Sequence, residues 1–597
     1  MSNSITTTAS PAGRLLPGAL FVLLCALALR LLVLFQFREA NPLFDHPVID
    51  AWHYDNLARE FLRLGRWPEP GAFFQPPAYP FFLAAIYALF NESSTWARLI
   101  QAVLGSLSCV LVYALGCQVH CRRTGLIAGL ITACYGPLIF FDLDLLAPVL
   151  IIFTSTLGTW LLLAGLRREK PLLLLAAGTC LGTAVACWPI IGLACGLILM
   201  LTVWNVRHRP GKAALLTLLL VLGMVVPILP SFLHNLGHGE KVLVSTNGGI
   251  NFYIGNNPRW QESVALRPGY PWETIVNLPY RLHGPELVEQ VGSSKLFTRE
   301  SLGFIRSQPG QYLRNQLVKL YQLGYGYEIM RNTDLYFFKQ YSPVLDALLI
   351  SSPWLKFPFG LLLPLALPGI VLSFSRLGRE NRYLLAYLAA VSAGLVLFFV
   401  TARYRVVLVP MLAIYAALGA GEMVALLRRQ NTRGLLLLLA VVLLGIGANL
   451  DLLGQEQRVT GPIYRAQAPF TLGRVALEEG RAKEALSWLE ESLRIDPNYP
   501  DAWVDLGRAR HALGDTTGAI QAMLQAVAVA PDYPLPYFNL GLLFDRPGQP
   551  SGPVIAYYRK YLLTAAAYFE DRIRGPERIM QVRRRLTEVQ QKGRTGP

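Results

Sequence analysis

Long apolar runs recur through the first three quarters of the chain, and they restrict the folds open to it. A helix needs about 20 apolar residues to cross a bilayer, and these runs approach or exceed that length. Eleven are predicted to be membrane helices: Leu15–Phe37, Ala97–Gly116, Thr124–Phe141, Leu145–Leu166, Pro171–Trp188, Ile190–Trp204, Ala213–Leu233, Phe357–Phe374, Tyr383–Val400, Val406–Leu427 and Gly434–Leu453. The chain is therefore predicted to be all-α, with a polytopic membrane helix bundle over residues 1–455.

Composition agrees with a membrane protein. The 597 residues are 53% hydrophobic and only 15% charged, whereas soluble proteins carry about 25% charged residues. The formal charge of +16 does not indicate a nucleic-acid partner, because much of the Lys and Arg lies in short loops between apolar runs. The eight cysteines show no metal-ligand spacing, so we expect them to act as small buried hydrophobes.

The basic residues also predict the topology, because clusters of them fall in every second loop. The clusters are Arg122/Arg123, Arg167/Arg168/Lys170, Arg207/Arg209/Lys212, Arg376/Arg379/Arg382 and Arg428/Arg429/Arg433. Loops rich in Lys and Arg remain on the cytoplasmic side. The amino terminus is then inside, and loops 38–96 and 234–356 and the carboxyl terminus lie outside. The remaining apolar stretch, Pro76 to Phe90, is short and contains three prolines, so we expect it to lie in the outer interface.

Residues beyond 455 have the composition of a soluble helical domain and a 34-residue period. The period relates Gly473, Gly507 and Gly541, and also Gly480, Gly514 and Gly548. "WVDLG", Trp503 to Gly507, resembles the core of the tetratricopeptide repeat. We predict an α-solenoid of such repeats over 466–567, followed by a basic helix or tail over 568–597. The repeats are expected either to bind a peptide partner or to act as a cap without a ligand.

The stretch "DHPVIDAWHYDNLARE", Asp45 to Glu60, places many ionisable groups directly after the first apolar run. Within it, "DAWHYDNLA" resembles the D-E-x-x-Y-x-x-x-A pattern of GT-C-type glycosyltransferases. These enzymes depend on lipid-phosphate sugars and include protein O-mannosyltransferases and aminoarabinose transferases. "QPPAYPFFLAAIYALFN", from Gln75, and "ARYRVVLVP", from Ala402, are similar to later segments of that class. "STNGGINFYIGNNP", from Ser245, is similar to an external-loop segment of its repeat-bearing bacterial members.

The resemblance implies an enzyme of the bacterial inner membrane with a polyprenyl-phosphate sugar as donor. It implies a protein or glycan acceptor on the periplasmic or extracellular side. The chain departs from the family pattern at Ala51, where Glu is usual, and at Gln75, where Lys or Arg is usual.

The residues themselves support such chemistry. Transfer to a hydroxyl requires a base, and the departing phosphate requires stabilisation. Asp50 is predicted to be the base. Arg403 and Arg405 are predicted to bind the donor phosphate, because cations at the outer end of a membrane helix oppose the charge pattern of the loops. Simple anchoring in the interface is the alternative for both arginines.

Other ionisable residues are weaker candidates. Asp55, His53, Asp142 and Asp144 are predicted as further site residues that could hold a divalent cation, Mg or Mn. Asp142 and Asp144 could instead hold the donor sugar, and Asp55 could orient a neighbour. Acids at a membrane edge are costly and often functional, but solvated loop acids and a loop His without function are the alternatives. Arg30, late in the first helix, can pair with one of the acids.

Two other functions remain open from the sequence. A non-enzymatic transporter or scaffold would place acids or broken helices at mid-membrane, whereas the acids here cluster in predicted external loops. A lipid-linked polysaccharide ligase or polymerase would share the chemistry of the transferase and differ in the size of the donor.

Overall fold

The computed structural model describes residues 11–208, 210–265, 269–283, 290–454, 461–546, 550–566 and 576–594. Arg209 and Gly548, which entered the sequence predictions, lie outside these residues, as does part of the predicted tail. The chain divides into two compact units. The membrane unit comprises Met1–Gly248, Ile305–Met330 and Leu335–Gln455, and the repeat unit comprises Gly249–Phe304, Arg331–Asp334 and Glu456–Pro597.

Helices account for nearly all of the described secondary structure. Up to the long loop they are α1 (Pro11–Ala40), α2 (Asp50–Leu64), α3 (Ala78–Leu89), α4 (Ser94–Val119), α5 (Arg122–Ala133), α6 (Gly136–Leu143), α7 (Pro148–Arg168), α8 (Pro171–Cys187), α9 (Ile191–Val206) and α10 (Pro210–Gly237). The long loop contains α11 (Gly248–Gly255), α12 (Trp260–Ala265), α13 (Tyr270–Val276), α14 (Leu278–His283), α15 (Gln290–Ser307), α16 (Pro309–Gly324), α17 (Leu335–Phe338) and α18 (Pro343–Leu348).

The loop ends in a two-stranded antiparallel pair, β1 (Ile350–Ser351) and β2 (Lys356–Phe357), with Ile350 opposite Phe357. The last membrane-unit helices are α19 (Phe359–Arg376), α20 (Asn381–Leu397), α21 (Ala402–Arg405), α22 (Val409–Arg428) and α23 (Thr432–Asn449). Short 3-10 turns cover Lys339–Tyr341 and Val406–Leu408.

Each of the eleven predicted membrane helices coincides with a helix or a helix pair. Seven helices in the described residues are long and apolar enough to cross a membrane, and a bent pair, α5 with α6, would make eight. The other three predicted spans correspond to the shorter apolar helices α8, α9 and α20. The stretch predicted to lie in the interface forms α3, which has 12 residues and is too short to span.

Small residues bring the membrane-unit helices close together. A Cβ on Gly178 would lie 2.3 Å from the carbonyl oxygen of Leu220, and one on Gly223 would lie 2.2 Å from that of Leu175. These contacts join α8 to α10. Close backbone approach through glycine is a common way for apolar helices to associate, since lipid leaves little hydrophobic driving force between them.

In the repeat unit, three helix pairs follow one another. They are α25 (Gln467–Glu478) with α26 (Ala482–Ile495), α27 (Pro500–Ala512) with α28 (Thr516–Val529), and α29 (Pro534–Phe544) with α30 (Ser551–Ala565). Helix α24 (Pro462–Arg465) precedes them and α31 (Pro576–Arg594) follows.

The glycines of the 34-residue period explain the packing of the pairs. A Cβ would lie 2.7 Å from Leu489 at Gly473, 2.7 Å from Met523 at Gly507 and 2.3 Å from Tyr558 at Gly541. The predicted repeat fold is therefore confirmed, because the periodic glycines lie where the two helices of each pair meet.

Candidate active site

Asp50 and Arg403, predicted as base and phosphate ligand, form an ion pair in the membrane unit. Asp50 is the first residue of α2, and Arg403 lies in α21. Arg403 Nη1 donates to Asp50 Oδ2 at 2.5 Å across 353 positions of sequence. The Asp50 side chain is 24% exposed and that of Arg403 is 10% exposed. The carboxylate therefore remains accessible while an arginine holds it in place.

The backbone directly before Asp50 adopts an unusual conformation. Ile49 has a φ of 56°, which is rare for a β-branched residue. Strain of this kind persists only where the surroundings hold the chain in place, and it clusters at functional sites. It fixes Asp50 at the start of α2, where the helix dipole favours a negative carboxylate.

Among the described residues, two of the three nitrogens of the Arg403 guanidinium have hydrogen-bond partners, and the third does not. Its Nη2 donates to the Tyr404 hydroxyl at 2.7 Å, and the Tyr404 ring stacks on Trp188 with centroids 5.0 Å apart. Its Nε is buried and lacks a hydrogen-bond partner in the part of the chain that the structure describes. A buried donor without an acceptor is destabilising, so an anionic oxygen at this position would be stabilised.

A second arginine, which the sequence analysis missed, belongs to the same region. Arg98 in α4 is 4% exposed, and its Nε donates to the carbonyl of Leu143 at 3.1 Å. Its Nη1 is buried, again with no acceptor among the described residues. Arg98 is a lone cation in an apolar helix, and that pattern could have identified it.

Asp144 connects the two arginines electrostatically. Burial raises the pKa of Asp144, and the charges that act on it come from Arg98, Arg403 and Asp50. Its carboxylate accepts from the backbone N–H of Leu145 at 2.9 Å. We call Asp50, Asp144, Arg98 and Arg403 the charge cluster; it contains two acids and two arginines, each arginine with one unsatisfied nitrogen.

Gln101 holds the backbone that carries Asp144. Its Nε2 donates to the carbonyls of Asp142 at 3.0 Å and Asp144 at 2.7 Å, and its Oε1 accepts from the Tyr79 hydroxyl at 2.7 Å. The Tyr79 ring lies 5.3 Å from that of Tyr54. Desolvation raises the pKa of Tyr54, so this phenol remains neutral and cannot compete with Asp50 as a base.

Asp142 is engaged by Arg30, which confirms that this arginine pairs with an acid. Arg30 Nη2 lies 2.7 Å from Asp142 Oδ2, and the two side chains are 1% and 4% exposed. Gly105 makes room for the pair, since a Cβ there would lie 2.1 Å from the Asp142 carboxylate. Asp142 therefore fixes the end of α6, and its carboxylate is not presented to a ligand.

Asp55 has a similar structural contact. It accepts from Arg59 Nε at 2.8 Å and from the Tyr87 hydroxyl, which joins α2 to α3. His53 lies apart from this pair, with its Nε2 3.6 Å from Glu69 Oε1.

Two of the predicted cation ligands are already engaged by arginines. Asp55 and Asp142 are each bound by an arginine, and cations of the Mg type need several free oxygen ligands. Nowhere in the described ranges do three His, Cys, Asp or Glu side chains form a group that could hold a metal ion. No step of the chemistry is therefore assigned to a metal bound by these residues.

Arg405 differs from Arg403 in its partner and its burial, although its Nε is likewise buried without an acceptor among the described residues. Its Nη2 lies 2.8 Å from Glu328 Oε2, and both side chains are 1% exposed. The same guanidinium donates to the carbonyls of Tyr325 and Tyr327, and Glu328 also accepts from the Tyr135 hydroxyl at 3.0 Å. These are the contacts of a structural residue, so we do not retain Arg405 as a phosphate ligand.

The external-loop segment from Ser245 also contributes structurally at its start. The backbone N–H of Thr246 donates to the carbonyl of Phe73 at 2.9 Å, and that of Asn247 donates to the carbonyl of Phe74 at 3.1 Å. These bonds fix the chain just before Gln75, at the start of the predicted "QPPAY" motif.

Two family models match the chain. Residues 74–231 match the family described as dolichyl-phosphate-mannose-protein mannosyltransferase, and residues 476–539 match the tetratricopeptide repeat. The first match covers α3 to most of α10 and includes Arg98, Gln101 and Asp144. Both parts of the resemblance read from the sequence are thus confirmed.

The curated relatives match in the repeat unit. A tetratricopeptide-repeat-containing protein of Pseudomonas aeruginosa is 38% identical over 74 residues, which are 12% of this chain and 70% of that protein. Superkiller protein 3 of Saccharomyces cerevisiae is 35% identical over 60 residues, 10% of this chain and 4% of its own.

Two solved structures have low similarity over longer ranges. The oligosaccharyltransferase of Archaeoglobus fulgidus, in complex with zinc and sulfate, has a TM-score of 0.40 and 17% identity; the match covers 72% of this chain and 53% of that one. ArnT from Cupriavidus metallidurans, bound to undecaprenyl phosphate, has a TM-score of 0.38 and 14% identity, covering 95% and 88%. The chain thus spans about half the length of the first of these proteins.

The chain belongs to the tetratricopeptide-repeat-containing proteins, since it covers more than two thirds of a 38%-identical relative. Its apolar helices indicate a multi-pass membrane protein, and residues 74–231 are similar to the mannosyltransferase family.

Proposed function

We propose that this chain transfers a sugar from a polyprenyl-phosphate donor to a hydroxyl of a protein or glycan acceptor, with inversion at the sugar carbon. The observation that carries the proposal is the contact between Asp50 and Arg403. It places a partly exposed carboxylate beside a guanidinium that has a further nitrogen to offer. The mannosyltransferase-family match over residues 74–231 supports the reaction class.

The proposed reaction needs one proton acceptor and one anion site. The Asp50 carboxylate takes the proton of the acceptor hydroxyl, and the freed oxygen forms the new bond to the sugar carbon. The bond from that carbon to the phosphate oxygen breaks, and the polyprenyl phosphate leaves with the electron pair. Direct attack from the opposite side inverts the configuration.

Arg403 and Arg98 are proposed to stabilise the phosphate as its charge increases. Arginine binds phosphate oxygens through several fixed donors. Arg403 Nε and Arg98 Nη1 are both buried and unsatisfied within the described residues, so a phosphate would remove the penalty that they carry without it. The charges of both arginines act on Asp144, so its carboxylate offsets part of their repulsion when no phosphate is bound.

The experiment that tests this proposal is transfer from a polyprenyl-phosphate sugar by the purified full chain in detergent. Asp50→Asn keeps the shape of the side chain and removes the base. Removal of a general base typically lowers the rate by about 10²–10⁴-fold. We expect that loss in kcat, with donor affinity retained. Asp45→Asn is the matched control, because Asp45 lies in the same loop but outside the family pattern.

The result also distinguishes between related assignments. Near-normal turnover of Asp50→Asn together with loss in Asp144→Asn would transfer the role of base to Asp144 and leave the reaction class intact. If no acidic substitution in either predicted external loop changed transfer, the enzymatic proposal would be wrong.

We propose further that the protein resides in a cytoplasmic membrane with the charge cluster and the repeats on the outer face. The alternation of basic loops supports this orientation. Protease added to intact spheroplasts should then remove the repeat region, detected with an antibody against it. Protection of the repeats in intact spheroplasts, with cleavage after lysis, would reverse the assignment.

A further inference from the structure

The repeat unit contains pieces of the long loop as well as the repeats. Gly249–Phe304 and Arg331–Asp334 form one compact unit together with Glu456–Pro597. Repeat proteins commonly bind ligands through equivalent positions of successive repeats. We therefore asked whether the repeat residues that contact the loop are separated by the 34-residue period.

The first contact joins the loop to the second helix pair. The backbone N–H of Tyr270 donates to the carboxylate of Asp501, with distances of 3.3 and 3.2 Å to its two oxygens. Asp501 also accepts from the Tyr533 hydroxyl at 2.9 Å and is 1% exposed. The Tyr270 ring lies 4.9 Å from that of Tyr533.

Gly269 makes this close approach feasible. Its φ is +97°, and a Cβ there would lie 2.4 Å from an oxygen of Asp501. Only glycine combines that backbone conformation with that lack of bulk. The Gly-Tyr dipeptide thus fits the repeat surface closely: the N–H of Tyr270 binds the acid, and Tyr270 packs against the hydrophobic cluster of the repeats.

A second contact involves the first helix pair. Gln467 Nε2 donates to the carbonyl of Asn332 at 2.9 Å. Gln467 precedes Asp501 by 34 residues, and Leu535 follows Asp501 by 34. Leu535 packs on the same cluster as Tyr270. The same repeat position therefore binds a loop carbonyl in the first repeat and a loop N–H in the second. In the third repeat it packs against the cluster that Tyr270 also contacts.

We propose that this face of the repeats, which we call the docking face and define by Gln467, Asp501 and Leu535, is a binding site whose ligand is the chain's own long loop. The contacts recognise backbone groups and one aromatic ring, as peptide-binding surfaces do. A partner peptide with a Gly-aromatic sequence must then displace the loop. The proposal does not depend on the proposed transferase activity.

The first test is hydrogen exchange of the full chain in detergent, measured by mass spectrometry over residues 269–283. Asp501→Ala removes the acceptor, and we expect exchange in this segment to rise about tenfold, as loss of a hydrogen bond to a charged group implies. Tyr533→Phe deletes one hydroxyl and should raise it about threefold. The readout is local, so general destabilisation of the repeats would appear instead in α27 and α28.

Asp545→Ala is the matched control. Asp545 is also an acid of the repeat unit, but it binds Arg585 at 2.7 Å. Its removal should increase exchange over residues 576–594 and leave 269–283 unchanged. Exchange of 269–283 at the wild-type rate in Tyr533→Phe and Asp501→Ala would overturn the proposal. If Asp501→Ala unfolds the repeats, Tyr533→Phe alone decides.

The second test supplies the ligand in trans. A labelled peptide with the sequence of residues 269–283 should bind the full chain carrying Tyr270→Ala, whose own loop is weakened, at least tenfold more tightly than wild type. Adding Asp501→Ala to that variant should remove the binding. Equal affinity for wild type and Tyr270→Ala would show that the docking face is open, which contradicts the proposal.

Discussion

The short helix α21 contributes an arginine to each of two ion pairs, and the two pairs lie in different environments. Arg403 binds Asp50 with side chains that are 10% and 24% exposed. Arg405 binds Glu328 with both side chains 1% exposed. Residues two apart on a helix point about 200° apart, so one arginine faces the accessible carboxylate and the other the interior. Neighbouring cations in a motif can therefore have unrelated roles.

The comparison predicts a large loss of stability from the buried pair. Arg405→Ala leaves Glu328 buried without its partner, which typically costs about 3–5 kcal/mol. We expect a clear fall in the thermal unfolding midpoint in detergent. The double variant Arg405→Ala/Glu328→Ala should lose less than the sum of the single changes. Wild-type stability combined with weakened donor binding would restore Arg405 to the phosphate site.

Loss of the more accessible Arg403–Asp50 pair should affect donor binding rather than stability. Arg403→Ala is expected to weaken binding of a polyprenyl-phosphate donor by about 1.5–3 kcal/mol, the range for a hydrogen bond to a charged group, with little change in unfolding. Arg403→Lys should recover only part of the affinity, because lysine lacks the planar fork. Unchanged donor affinity in Arg403→Ala would remove it from the site.

Asp501, a buried acid of the repeat unit, extends the comparison to a third charged contact. It predicts a dependence of loop docking on pH. Burial raises the pKa of Asp501 to about 6, and Arg474, Tyr533, the Tyr270 N–H and Asp505 act on it. The Tyr270 N–H lowers that pKa, because it donates to the ionised carboxylate. Docking of the loop therefore favours the ionised acid and weakens as pH falls through the pKa of Asp501.

Between pH 7 and pH 5, docking of the loop should therefore weaken as Asp501 is protonated. The measurement is exchange over residues 269–283, corrected for the intrinsic rate at each pH. Asp501→Asn should abolish the pH dependence. A dependence that persists in Asp501→Asn would assign it to another group.

Much of the fold was predictable because its signals are local. Apolar runs of membrane length and a 34-residue period each depend on residues close together in sequence. The division of the long loop was not predictable in this way. The sequence assigned 234–356 to the membrane domain, whereas Gly249–Phe304 and Arg331–Asp334 belong to the same compact unit as the repeats. That division depends on contacts between residues that are distant in sequence.

By itself, the sequence determined that the chain is a membrane helix bundle with tetratricopeptide repeats, and it selected Asp50 and Arg403. Only the tertiary structure decided which other charges belong with them. It pairs Asp142 with Arg30 across 112 positions and buries Arg405 beside Glu328. It also brings the charge of Arg98 to bear on Asp144. The physical reason is that burial and pairing decide what a charged side chain does, and both are set by residues distant in sequence that meet only when the helices pack.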